Sequence, residues 1–172
     1  PRTSLQSTRR LFKVSATQNH AVNGPAGAPV SVLFVCTGNI CRSPSAEAVL
    51  RHKAAEGGVA ERLQIDSAGL GAWHLGHPPD PRAVDAVQAR GYAMGDQTAR
   101  LVEARDFARF DYVIAMDEGH YKELRRMCPG DGRERVRLFL AFAPHTGRQS
   151  VPDPYYGDTR GFDAMVDLIE AG

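Results

Sequence analysis

Acidic residues are missing from the first 46 positions of this chain, although Arg2, Arg9, Arg10, Lys13 and Arg42 are all basic. Cysteine is scarce as well. The three thiols, Cys36, Cys41 and Cys128, are an odd number at irregular spacing, which does not suit a disulfide scaffold. Cys36 and Cys41 are too far apart for a C-x-x-C redox motif, and no His or Cys set completes a zinc site. No apolar run approaches the roughly 18 residues that a membrane-spanning helix needs. A net charge of +1 argues against a broad nucleic-acid surface. With 172 residues, 42% hydrophobic and 24% charged, the chain has the size and balance of one globular domain and expects neither metal nor cofactor.

Residues 1–28, "PRTSLQSTRRLFKVSATQNHAVNGPAGA", lack apolar periodicity and end in a Gly/Pro-rich stretch, as a disordered terminal extension does. Its Arg- and Ser-rich, acid-free composition also fits the remnant of an organelle transit peptide. The two readings place the protein in the cytoplasm or in a plastid or mitochondrion. An opening Pro in place of Met is what a processed or cloned fragment would show.

From residue 29 to residue 172 the pattern is regular. "PVSVLFVC" is a short β-branched run suited to a strand buried on both faces. "SPSAEAVLRHKAAEGG" predicts a helix with Ser43 as N-cap, Pro44 in first position and Gly57 as its stop. "RLQIDSAG" reads as a second strand, and "DPRAVDAVQARG" as a helix capped by Asp80 and closed by Gly91. A short helix in "EARDFARF", the strand "DYVIAM", a helix over residues 118–127 and the strand "RVRLFLAF" follow. The loop "SVPDPYYGDTRG" leads to a last helix, "FDAMVDLIEAG", which reads as cut short by the end of the chain. Four strands alternating with helices predict a doubly wound, mainly parallel α/β sheet of the Rossmann/flavodoxin-like kind, with helices on both faces. Ligands of such sheets bind beyond the carboxyl ends of the strands, where the loop after Cys36 lies.

That loop is Cys36, Thr37, Gly38, Asn39, Ile40, Cys41, Arg42 and Ser43. A helix starting after it would direct unpaired N–H groups and the positive end of its dipole into the loop. Gly38 and Asn39 tolerate the backbone angles that curl successive N–H groups inward. Arg42 adds a fixed cation whose planar fork matches two phosphate oxygens. The same features favour a thiolate at Cys36 near neutral pH. A thiolate inside an oxyanion cradle is equipped to attack phosphorus. An isolated C-x5-R match would be weak, but here a strand precedes it and a helix follows.

"VCTGNICRSPSAE" closely resembles the signature of the low-molecular-weight protein tyrosine phosphatases. "IDSAGLGAWHLG", "DPRAVDAVQARG", "DFARFDYVIAMDEGH" and "VPDPYYGDTRGF" resemble further segments of that family, in the family's order. The resemblance implies hydrolysis of phosphotyrosine, on a protein or as a small aryl phosphate, with release of inorganic phosphate. It also implies a monomer that needs no membrane or nucleic acid. Asp153 becomes the proton donor to the leaving tyrosine oxygen, presented between Pro152 and Pro154. Cys36 becomes the nucleophile and Arg42 the phosphate ligand. Asn39, Ser43 and Ser67 become the residues that hold the loop, and Trp73, Tyr155 and Tyr156 the walls around the substrate ring. Cys41 becomes the partner of Cys36 in a reversible disulfide under oxidation. Gln97 departs from the His that mammalian members often carry, which removes a titratable group from the loop's polar network. Cys128 has no assigned role beyond packing or exposure.

Two other readings compete. An arsenate reductase of the same fold needs a relay of further thiols, and only Cys128 lies outside the loop. A non-catalytic phosphate-binding module would have lost its nucleophile or acid, and Cys36 and Asp153 are both present.

Overall fold

The computed structural model describes residues 27–172, so residues 1–26 of the expected terminal extension lie outside the described part. Strands β1 (Val30–Cys36), β2 (Leu63–Gly69), β3 (Tyr112–Ala115) and β4 (Val136–Leu138) form one sheet, all parallel, in the order β2-β1-β3-β4. Helices α1 (Arg42–Glu56), α2 (Pro81–Ala89), α3 (Asp106–Arg109), α4 (Glu118–Met127) and α5 (Thr159–Ala171) connect and cover it.

The alternation of side chains along β1 sends successive residues to opposite faces, and both faces are covered. Phe34 and Ile114 pack with Val49 of α1, Val87 of α2 and Phe162 and Val166 of α5. Leu33, Val35 and Val113 face the other way, onto Phe107, Phe110 and Leu124. Apart from Ser31, whose N–H and hydroxyl both bond to Asp111, the run is apolar, as a strand buried on both sides requires.

Three local predictions need correction. Ser43 is not the N-cap of α1: the helix begins two residues earlier than predicted, at Arg42, with Cys41 in the cap position and no side-chain cap bond. The Ser43 hydroxyl is engaged instead by Cys36 and by the Ala68 carbonyl. β4 stops at Leu138, and Phe139–Phe142 forms a 3-10 turn. Phe139 and Leu140 are consecutive yet enter the same core cluster, which a turn permits and a pleated strand does not. The last helix starts at Thr159, ahead of the predicted Phe162. Asp80, by contrast, caps α2 as predicted, accepting from the Arg82 N–H at 2.9 Å, with Pro81 in the first turn.

The chain runs from β1 to β2 on one side and later to β3 on the other side of β1. The two crossovers leave the sheet in opposite directions there and open a crevice beyond the carboxyl ends of β1 and β3. Cys36 is the last residue of β1, and Asp117 follows closely on β3.

Candidate active site

The crevice holds a cleft of about 350 Å³ lined by Cys36, Thr37, Gly38, Ile40, Cys41, Arg42, Trp73, His74, Asp153, Tyr155 and Tyr156. Its floor is the loop between β1 and α1. Asn39 has φ +56°, the left-handed region, where a non-glycine residue carries a cost of about 1 kcal/mol. The Asn39 side chain offsets that cost. Its Nδ2 donates to Ser43 Oγ at 3.0 Å and to Ser67 Oγ at 2.9 Å, and its Oδ1 accepts from the Arg100 N–H at 3.0 Å. Gly69, at the end of β2, closes the loop from behind: a Cβ there would stand 2.9 Å from the Thr37 carbonyl.

Cys36 is buried at the base of the cleft, with its Sγ 3.0 Å from Ser43 Oγ. Beyond Ser43 and Asn39, the Ser67 hydroxyl donates to Glu47 Oε2 at 2.7 Å. Glu47 is buried and also accepts from Arg51 Nε at 2.9 Å. Gln97 takes part only at the edge. Its Nε2 donates to the Pro44 carbonyl at 3.0 Å, and its buried Oε1 has no partner among the described residues.

Arg42 is 3% exposed, an unusual depth for a guanidinium. NH1 donates to Asp117 Oδ2 at 2.9 Å and to the Val151 carbonyl at 3.3 Å. NH2 donates to Asp153 Oδ2 at 2.8 Å and to Thr37 Oγ1 at 3.1 Å. One buried cation thus faces two carboxylates, which fix its plane. Asp153 is the more exposed of the two, and its Oδ1 accepts the Tyr155 N–H at 3.1 Å. A phosphate dianion drawn to Arg42 would compete for the same guanidinium edge.

The walls are aromatic. Tyr155 and Tyr156 meet edge-on at 5.0 Å, and His74 lies 5.7 Å from Tyr155. Trp73 and Tyr156 are largely exposed at the mouth. His74 leans over the floor so closely that a Cβ on Gly38 would come within 2.9 Å of its ring.

Every residue singled out in the sequence for this site therefore lies on the cleft or directly beneath it. Asp117, His120, Glu47 and His74 were not singled out. Asp117 had a signal, since it follows a parallel strand at its carboxyl end, as the Cys36 loop does. Cys41 lines the cleft but is buried, and burial pushes its thiol well above the ordinary range. Cys128 is buried in the cluster on the opposite sheet face from Cys36. It is therefore poorly placed to relay electrons to the loop.

Comparison with known proteins agrees with this geometry. The family described as "Low molecular weight phosphotyrosine protein phosphatase" matches residues 31–172. A low molecular weight protein-tyrosine-phosphatase of Streptomyces coelicolor is 43% identical over 143 residues, covering 81% of this chain and 87% of the relative. A low molecular weight phosphotyrosine protein phosphatase of Schizosaccharomyces pombe is 42% identical over 143 residues, covering 82% and 91%. Among solved structures, a protein tyrosine phosphatase of Entamoeba histolytica with Hepes in its active site superposes with a TM-score of 0.80. It is 39% identical, with 83% of this chain and 90% of that chain covered.

Proposed function

This chain belongs to the low molecular weight phosphotyrosine protein phosphatase family, and we propose that its tyrosine phosphatase activity runs through Cys36, Arg42 and Asp153. Cys36 Sγ attacks phosphorus in line, the P–O bond to the tyrosine breaks, and Asp153 gives its proton to the departing oxygen. The product of that step is a phosphocysteine. Asp153, now a carboxylate, takes a proton from water as the water attacks phosphorus. The S–P bond breaks and inorganic phosphate leaves. Arg42 and the loop N–H groups hold the equatorial oxygens through both displacements.

The observation that carries this reading is the Arg42 guanidinium, held by Asp117 and Asp153 beside the Cys36 thiol. The substrate class follows from the cleft: an apolar slot walled by Trp73, Tyr155 and Tyr156 suits an aryl phosphate, free or on a protein. Rapid mixing with p-nitrophenyl phosphate should release a burst of nitrophenol, with a phosphoryl group found on Cys36 by mass spectrometry. Turnover without a cysteine-linked phosphate would overturn the mechanism.

Cys41 has a separate part in this reading. Once oxidised to a sulfenic acid, Cys36 condenses with the Cys41 thiol, forming a disulfide and releasing water. Mild peroxide should yield a Cys36–Cys41 bond that dithiothreitol reverses. Sulfinic acid on Cys36 with Cys41 still free would remove Cys41 from this role.

A further inference from the structure

His120 has no part in the chemistry just described, yet it is buried to 6% exposure directly behind Arg42 and Thr37. Its position follows from the fold. Asp117 caps α4 by accepting the His120 N–H at 2.7 Å, which fixes the first turn of the helix and sends the imidazole toward the cleft floor. There Nε2 lies 2.8 Å from Thr37 Oγ1. Nδ1 stands 3.1 Å from Asp117 Oδ1, near enough for attraction but too skewed for an aligned hydrogen bond.

The proton positions follow from the partners. A carboxylate offers only lone pairs, so the ring proton belongs on Nδ1, beside Asp117, and Nε2 is left as an acceptor. Thr37 then donates its hydroxyl proton to Nε2, and its lone pairs face Arg42 NH2, which donates to it at 3.1 Å. Burial is the main reason the ring stays neutral, with the Arg42 cation adding to it: its pKa is pushed down to about 4 against the pull of Asp117 and Asp153. A second cation on the ring would turn Nε2 into a donor and reverse the Thr37 hydroxyl.

We propose that His120 is a positioning residue: it bridges Thr37 and Asp117, the two groups that grip Arg42 from opposite nitrogens, and so fixes the guanidinium plane for the phosphoryl group. Hydrogen bonds join Arg42 NH2 to Thr37, Thr37 to His120 and Asp117 to Arg42 NH1, and the 3.1 Å approach of His120 Nδ1 to Asp117 closes the circuit by dipolar attraction alone. Without the imidazole the Thr37 hydroxyl can rotate its proton toward the arginine, and one of the four acceptors around the guanidinium is lost. The effect belongs to the transition state more than to substrate capture, because the bipyramidal phosphoryl group makes the stricter demand on the angle of the fork.

The inference rests on the phosphatase reading, and its test separates the two. His120→Leu and Thr37→Val should each lower kcat for p-nitrophenyl phosphate about tenfold, with KM changed little, and weaken inhibition by inorganic phosphate several-fold. The double variant should be no worse than either single one, because both break the same circuit. His120→Gln, which can return an acceptor to Thr37, should recover most of the loss. Rates are scaled to the nitrophenol burst and variants checked by thermal melting, so a fraction of misfolded protein is not mistaken for slow chemistry. If His120→Leu does not fold, Thr37→Val and His120→Gln carry the comparison. Losses that multiply in the double variant, or a His120→Leu enzyme within twofold of wild type, would overturn the proposal. If the wild-type chain does not turn over aryl phosphates, the phosphatase reading fails. The circuit is then still tested by phosphate affinity measured by calorimetry: weaker in His120→Leu supports it, unchanged overturns it.

Discussion

On the thiol side of the loop, the hydrogen-bond chain leading away from Cys36 is uncharged at first: the Ser43 hydroxyl, then the Asn39 amide and the Ser67 hydroxyl, with a carboxylate only at Glu47. On the other side, Arg42 is gripped directly by two carboxylates, a hydroxyl and a carbonyl. The contrast follows what each group must do. A nucleophile has to give up its negative charge to phosphorus, so weak neutral donors that stabilise sulfur without holding it tightly suit it. A phosphate ligand must keep its charge and its plane through both displacements, and only ionic partners hold a buried guanidinium that firmly.

The largest break in that contrast should come from Cys36→Ser, which replaces the sulfur and leaves both sets of partners in place. Turnover of aryl phosphate should fall on the order of a hundred-thousandfold, as when a nucleophile is lost, while phosphate still binds. Next comes the arginine side. Arg42→Lys keeps the charge and loses the fork, so kcat should fall about a thousandfold, with a smaller change in phosphate affinity. Asp153→Ala should cost about a hundredfold with phosphotyrosine and much less with p-nitrophenyl phosphate, whose anion leaves without a proton. An equal loss with both substrates would deny Asp153 its role as acid. On the thiol side Ser43→Ala should cost only about tenfold.

A separate effect falls on stability rather than on rate. The folded state holds His120 neutral to about pH 4, whereas an unfolded chain protonates it near pH 6.5. Between those values the unfolded state binds the extra proton, so its share of stability is present above pH 6.5 and is lost as pH falls toward 4. The loss is at most about 3 kcal/mol. The groups that face the imidazole are Asp117, Arg42 and Asp153. The melting temperature of wild type should fall more steeply than that of His120→Gln across this window, and parallel curves would mean that the ring is not held neutral.

Much of this was legible in the sequence, for physical reasons. Cys36, Asn39, Arg42 and Ser43 are neighbours in the chain, so one strand–loop–helix pattern brings them together. Asp153, Trp73 and the tyrosines needed the family resemblance, because nothing local separates Asp153 from an ordinary Asp-Pro turn. His120 is set by the pairing of β3 beside β1, a long-range contact that no short pattern encodes, and Asp117, although marked by its place after a strand, meets Arg42 only through the same pairing. The Ser43 cap was misjudged because a hydroxyl at a helix start can bond the backbone or a neighbouring side chain, and here the thiol lies within reach. The overlong β4 reflects the same limit: apolar residues after Leu138 fit a strand or a turn equally well until the core on one side is known.

Trp73 is the chain's single tryptophan, and it stands 75% exposed at the mouth of the cleft. All of the protein's indole fluorescence therefore originates at the rim of one pocket. An aryl phosphate settling against that wall would take the indole out of water, and the emission would shift with occupancy. The molecule thus carries its own optical gauge of ligand binding, with no label attached.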